Sequence, residues 1–130
     1  MHIGEKFEVA GVVTEENTAR RIGSGGLDVF ATPCMTAMME NAAYALLQRE
    51  LPEGKSSVGT KLDVFHVSPS PVGMPVRAVA EVTEVSGDGR TVAFHVAAYD
   101  DAGLIGEGSH RRAVIDVERF MAKCESKLNK

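Results

Sequence analysis

The chain predicts an α+β fold, an antiparallel β-sheet curled around one long hydrophobic helix. A single apolar helix opens near Thr32 and stops near Leu51-Pro52-Glu53-Gly54. After it, everything to about Val117 alternates or runs in β-branched residues between tight turns. One hydrophobic helix and about five antiparallel strands can bury each other in few ways, and the sheet wrapping the helix is the simplest. At 130 residues, with no linker, internal repeat or low-complexity stretch, the chain reads as a single domain over 1–130.

Lys6 to Val13 reads as the first strand, and Ile22-Gly23-Ser24-Gly25-Gly26 as a mobile loop. Thr32 can cap the first free amides of the helix, and Pro33 suits the first helical position, where its missing N–H costs nothing. Met35, Met38, Met39, Ala42 and Leu46 recur at i, i+3, i+4, i+7 and i+11 and make one apolar face. Ala37, Ala43, Ala45 and Leu47 leave little polar surface elsewhere, so the helix is expected to be enclosed.

In the strand that follows, Val58, Thr60, Leu62, Val64 and His66 share one face until Pro69-Ser70-Pro71-Val72-Gly73 breaks the pattern. Strands over Val76–Val85 and Thr91–Tyr99 flank the hairpin signal Gly87-Asp88-Gly89. Asp100-Asp101-Ala102-Gly103 turns again, and Leu104 to Val117 forms the last long strand, an antiparallel meander. The tail Glu118 to Lys130 reads as a short surface helix. A single-layer wrap leaves edge strands unpaired, so a homodimer or a higher oligomer is expected.

Composition narrows the partners. Fourteen Lys and Arg against eighteen Asp and Glu give a net charge of -4, which disfavours a phosphate-binding surface. Only the doublets Arg20-Arg21 and Arg111-Arg112 concentrate positive charge, so no nucleic-acid partner is expected. Cys34 and Cys124 stand ninety positions apart and suggest neither a metal site nor a disulfide framework, which fits a reducing cytoplasm. The start Met1-His2-Ile3-Gly4-Glu5 lacks the apolar core of a signal peptide. No run approaches the roughly 18 apolar residues of a membrane helix, so a cytoplasmic location without membrane contact is expected. No His-x-x-x-His or Cys-x-x-Cys pattern calls for a metal, and no cofactor is expected.

Two residues invite a chemical explanation. Glu40 places a carboxylate within the apolar helix, where an unpaired charge costs several kcal/mol or shifts its pKa. It lies off the centre of the apolar stripe, so a partly solvated charge on the helix flank is the competing reading. His66 shares the face of Leu62 and Val64 that should meet the helix, and its competing reading is a core histidine satisfied by backbone. Thr32 is either a helix cap or a hydroxyl set beside backbone amides that stabilise an anion. His95 and His110 read as structural or exposed strand residues, and Arg112 as an ordinary solvated charge. Gly23-Ser24-Gly25-Gly26 lacks the lysine of a phosphate loop, Gly106-Glu107-Gly108 lies within a strand, and Ser24 sits in no nucleophile elbow.

In order and spacing, several motifs together resemble a known family. They are Val29-Phe30-Ala31-Thr32 followed by Met38-Met39-Glu40, then Val58-Gly59-Thr60 with His66 seven positions after the glycine. The last is Gly106-Glu107-Gly108-Ser109-His110-Arg111-Arg112-Ala113-Val114-Ile115. The chain resembles the hotdog-fold acyl-CoA thioesterases similar to fluoroacetyl-CoA thioesterase, from Gly4 to about Lys123. The resemblance implies hydrolysis of a short acyl-CoA, with Thr32, Glu40 and His66 as the catalytic set and Gly59 and Arg112 in contact with substrate. It also implies a difference. Where the fluoroacetyl-specific enzyme has two phenylalanines forming a lid, this chain has Gly23 and Gly26, so selectivity for a fluorinated acyl group should be weak.

Two other classes compete with a hydrolase. A non-catalytic acyl-CoA binding or sensing protein could use the same fold, although binding alone does not need the Thr32, Glu40 and His66 trio. An enoyl-CoA hydratase would need an aspartate–histidine pair, and strand alternation points Asp63 and His66 to opposite faces.

Overall fold

The computed structural model describes residues 1–129; Lys130, where the expected tail helix ends, lies outside the described residues. Its five strands are β1 (Lys6–Val12), β2 (Lys55–His66), β3 (Pro75–Val85), β4 (Thr91–Asp100) and β5 (Gly103–Asp116). They form one antiparallel sheet in the order β1-β3-β4-β5-β2. The expected meander therefore holds only for β3, β4 and β5. Strand β2 lies on the far side of β5, so β1 and β2, the strands on either side of the helical segment in the chain, become the two edges.

Against one face of this sheet lies the long helix, which we label α2 (Thr32–Gln48), after a single turn α1 (Ala19–Ile22). Met35, Met39, Ala42, Ala43, Leu46 and Leu47 are its buried residues, matching the expected stripe except for the half-buried Met38. They meet Val76, Ala78, Ala80 and Val82 of β3 and Val92, Phe94, Val96 and Ala98 of β4, all buried. Each fully buried Leu, Phe or Met contributes about 1.5–3 kcal/mol relative to exposure. The alanines at 78, 80 and 98 leave room for the bulkier helix side chains.

Two local expectations are corrected. Thr32 does not cap the helix: Ala31 is the N-cap, no side chain caps it, and Thr32 and Pro33 are its first two residues. In β2, a bulge between Gly59 and Lys61 consumes Thr60 as an extra residue. Side chains on either side of it therefore follow different parities. Ser57 and Gly59, not Val58 and Thr60, share the helix-facing side with Leu62, Val64 and His66, opposite Val114, Arg112, His110, Gly108 and Gly106 of β5.

The segment before the helix is more structured than a glycine loop predicts. Thr14 caps a short 3-10 turn (Glu15–Asn17), and Thr18 caps α1, which ends on Gly23 at φ 91°, a left-handed conformation suited to glycine. Arg20 then clamps Asp28 through two hydrogen bonds of 2.9 Å. The last strand leads through Asp116, which caps the tail helix α3 (Val117–Glu125) at the Arg119 amide, into a 3-10 turn (Ser126–Asn129). No described helix is long and apolar enough to cross a membrane.

Candidate active site

Polar side chains gather at two places along α2. At its N-terminal end the chain is anchored before the first turn: the Phe30 amide donates to the Ser70 carbonyl at 2.9 Å, and the Ala31 amide to the Asn17 carbonyl at 2.9 Å. The amides of Val67 and Ser68 both donate to the Ile105 carbonyl, which fixes the end of β2. These anchors bring Thr32 Oγ1 to 2.7 Å from His66 Nδ1. Sequence spacing placed His66 toward the helix but did not pair it with Thr32.

His66 is half-buried, and burial pushes its pKa below the ordinary 6.5, with the Ser68 backbone pulling the other way. The neutral ring can accept the threonine proton. Its other nitrogen, Nε2, is one of two buried side-chain polar atoms without a hydrogen-bond partner among the described residues; the other is Glu5 Oε2.

Eight positions along the helix, about 12 Å at 1.5 Å per residue, Glu40 joins a second cluster. Its carboxylate faces Gly59: a Cβ built on that glycine would sit 2.9 Å from Glu40 Oε2, 3.1 Å from His110 Cε1 and 3.5 Å from Arg112 Nη1. Gly59 therefore leaves a notch that three polar side chains border. Glu40 is half-buried, a partly solvated charge on the helix flank.

Arg112 is no solvated strand charge. It is 6% exposed, with Nε donating to Ser57 Oγ at 2.8 Å, Nη2 to the Ser57 carbonyl at 3.0 Å and Nη1 to His110 Nε2 at 3.1 Å. Its guanidinium also stands 5.7 Å over the Tyr44 ring. Burial lowers its pKa, opposed chiefly by the negative charge of Glu40. An arginine keeps its proton even so.

His110, which sequence reasoning left as structural or exposed, is 2% exposed and belongs to this cluster. Its ring stacks on Phe94 with centroids 6.1 Å apart. Because Arg112 can only donate, His110 Nε2 must accept, and Nδ1–H must donate to the Lys61 carbonyl at 2.8 Å. Burial lowers the His110 pKa most; the Lys61 carbonyl opposes this, the Arg112 charge adds to it and Glu40 opposes it. The detectable signal was the two-residue spacing of His110 and Arg112, which puts both on the inner face of β5. Ser57 was hidden by the bulge.

The structure thus assembles Thr32 with His66, and Glu40 with Gly59 and Arg112, but does not bring the two groups into one contact set. His95 lies elsewhere, exposed and 3.4 Å from Glu107.

Comparisons with known proteins cover nearly the whole chain. A family model described as fluoroacetyl-CoA-specific thioesterase matches residues 13–118. The fluoroacetyl-CoA thioesterase of Streptantibioticus cattleyicolor is 35% identical over 133 residues, spanning 98% of this chain and 94% of that protein. A solved structure of a fluoroacetyl-CoA thioesterase superposes with a TM-score of 0.90 at 35% identity, covering 98% of this chain and 97% of the other. A hot-dog-like protein from Thermanaerovibrio acidaminovorans, 22% identical, shares the fold with a TM-score of 0.86, covering 96% and 91% of the two chains.

Proposed function

The chain belongs to the fluoroacetyl-CoA-specific thioesterase family, and from that premise we propose that it hydrolyses a short-chain acyl-CoA to the free acid and CoA, using Thr32, His66 and Glu40. The observation that carries the reading is the 2.7 Å contact between Thr32 Oγ1 and His66 Nδ1, a hydroxyl nucleophile within reach of a neutral base. Thr32 Oγ attacks the thioester carbonyl while His66 takes its proton, and His66 returns that proton to the departing CoA sulfur. Glu40 then removes a proton from the water that attacks the acyl-threonine, and that proton passes to Thr32 Oγ as the ester bond breaks and the free acid leaves, a contribution of about a hundred- to ten-thousand-fold for general acid–base catalysis. Gly59 and Arg112 contact the substrate, Arg112 donating toward the acyl oxygen.

The two halves of this set cannot meet within one helix, which separates Thr32 and Glu40 by about 12 Å. We therefore assign the working site to a homodimer, with Thr32 and His66 from one protomer facing Glu40, Gly59 and Arg112 of the partner. The unpaired edge strand β2 and the exposed Leu62, Phe65 and Val67 on and beside it support this assembly.

Purified protein incubated with a panel of acyl-CoAs, followed by free-thiol release with and without chelator, tests the reading. Turnover of acetyl-sized substrates, unchanged by chelator, is expected. Tight acyl-CoA binding without thiol release would replace the hydrolase with a binding protein.

A further inference from the structure

Arg112 is a buried cation with no carboxylate in ion-pair contact among the described residues, so its orientation must come from neutral partners. Three of the five guanidinium N–H donors are used, two contacts going to Ser57 and one to His110. The Ser57 contacts engage Nε and Nη2, while Nη1 stands 3.5 Å from the empty Cβ position of Gly59 and is held by His110 alone.

Packing does not require a histidine here. The ring lies against Phe94, and a phenylalanine would serve that contact without two polar nitrogens to bury. Both nitrogens are nonetheless satisfied, in opposite directions: Nδ1–H gives to Lys61, whose carbonyl lies beside the Thr60 bulge, and Nε2 receives from Arg112.

We propose that His110 is a positioning residue for acyl-CoA turnover: tethered to the Lys61 carbonyl, its neutral ring holds Arg112 Nη1 so that the unspent N–H groups face the Gly59 notch and Glu40. The proposal rests on the hydrolase reading of the site and names a member of it. Protonation of His110 would set an N–H against an N–H and a second positive charge beside Arg112, releasing the guanidinium. The groups facing the ring are Arg112 on β5, Glu40 on α2, the Lys61 carbonyl on β2 and the apolar Phe94 on β4, with Tyr44 of α2 facing Arg112.

Three substitutions separate positioning from packing. His110→Gln puts an acceptor oxygen near the place of Nε2 without a titrating ring, His110→Asn keeps a donor for Lys61 but is too short to place an acceptor where Nε2 meets Arg112, and His110→Phe keeps only the shape. We expect His110→Asn and His110→Phe to lose about tenfold or more in kcat/KM, and His110→Gln to recover most of that loss with a flatter acid limb. In an Arg112→Lys background, His110→Phe should cost little more, since the two residues act as one unit. The 15N resonance of Arg112 Nη1, followed by NMR in the free protein, should be sharp in the wild type and His110→Gln and broadened in His110→Phe. Wild-type kcat/KM in a folded His110→Phe, or losses that simply add to that of Arg112→Lys, would overturn the proposal. If the wild type hydrolyses no acyl-CoA, the hydrolase reading fails separately, and an Arg112 signal unaltered by His110→Phe would then overturn the positioning role.

Discussion

Strands β4 and β2 flank β5 on either side, and the same sheet face is used differently on each. On β4 the helix-facing residues Val92, Phe94, Val96 and Ala98 are at most 2% exposed, and the chain finishes that region by itself. On β2 the corresponding residues are Ser57, Gly59, Leu62, Val64 and His66, with Leu62 still 36% exposed and His66 Nε2 unpartnered. The apolar region supplies stability, and the proposed chemistry gathers where the chain leaves its own core unfinished.

The sharpest way to break that comparison is to cut both regions. Leu46→Ala under β3 and β4 should cost about 2–5 kcal/mol of stability through lost burial and a cavity, with turnover of the folded fraction retained. His66→Ala and Glu40→Gln should each lower turnover by about a hundredfold or more while the fold stays intact. Calorimetry and initial rates on the same preparations check both. A Leu46→Ala protein that stays stable but inactive would erase the distinction.

Gly59→Ala should separate activity from stability at a single site. Its new Cβ falls 2.9 Å from Glu40 Oε2 and 3.1 Å from His110 Cε1, so the carboxylate must move away from the notch. Replacing a strand glycine by alanine otherwise favours the folded chain by roughly 0.5–1 kcal/mol. A loss of about tenfold in kcat/KM with little change in unfolding midpoint is expected. Wild-type kinetics would show that Glu40 does not work at the Gly59 notch.

Selectivity should respond less. No atom lies within 4 Å of a Cβ at Gly26, and Gly23 is held at a positive φ, so neither position supplies a bulky gate. A single small substituent on the acyl group then distinguishes acetyl-CoA from fluoroacetyl-CoA by less than about tenfold in kcat/KM. Competition between the two substrates measures this ratio directly, and a strong fluoroacetyl preference would mean that selectivity is built elsewhere.

The smallest effect is on stability against pH. His66 and His110 both have pKa values depressed by burial, so the unfolded chain binds their protons more readily than the folded one. Their contribution is present above the ordinary value of 6.5 and is lost as pH falls through the lower folded values. Denaturation curves should show falling stability below that pH, and His110→Gln should lessen the fall. Stability that rises on acidification would contradict the neutral, buried rings.

These outcomes bear on what the sequence made legible. The apolar period of Met35, Met39, Ala42 and Leu46 identified the helix and its buried face, because burial of one stripe is a local pattern. Glu40 and His66 stood out as polar groups in apolar settings, and both lie in the clusters described. The edge position of β2 was not legible, since strand order is decided by long-range pairing. The Thr60 bulge reversed the parity of Val58 and Ser57, and no alternation pattern marks an extra residue. Without that pairing, His110 and Arg112 looked like ordinary strand residues. The Thr32 hydroxyl, taken as a cap from its place before Pro33, points instead to a histidine thirty-four positions away.

The measurement that tests the shared site most directly is subunit complementation. Thr32→Ala and Glu40→Gln proteins, each inactive alone, are mixed under conditions where exchange between labelled subunits is demonstrated. If Thr32 and His66 of one chain act with Glu40 of its partner, each mixed dimer contains one intact site, and random mixing restores about a quarter of wild-type activity by the symmetry of a two-fold pair. No recovery after complete exchange would place all three residues in one protomer and contradict the shared site.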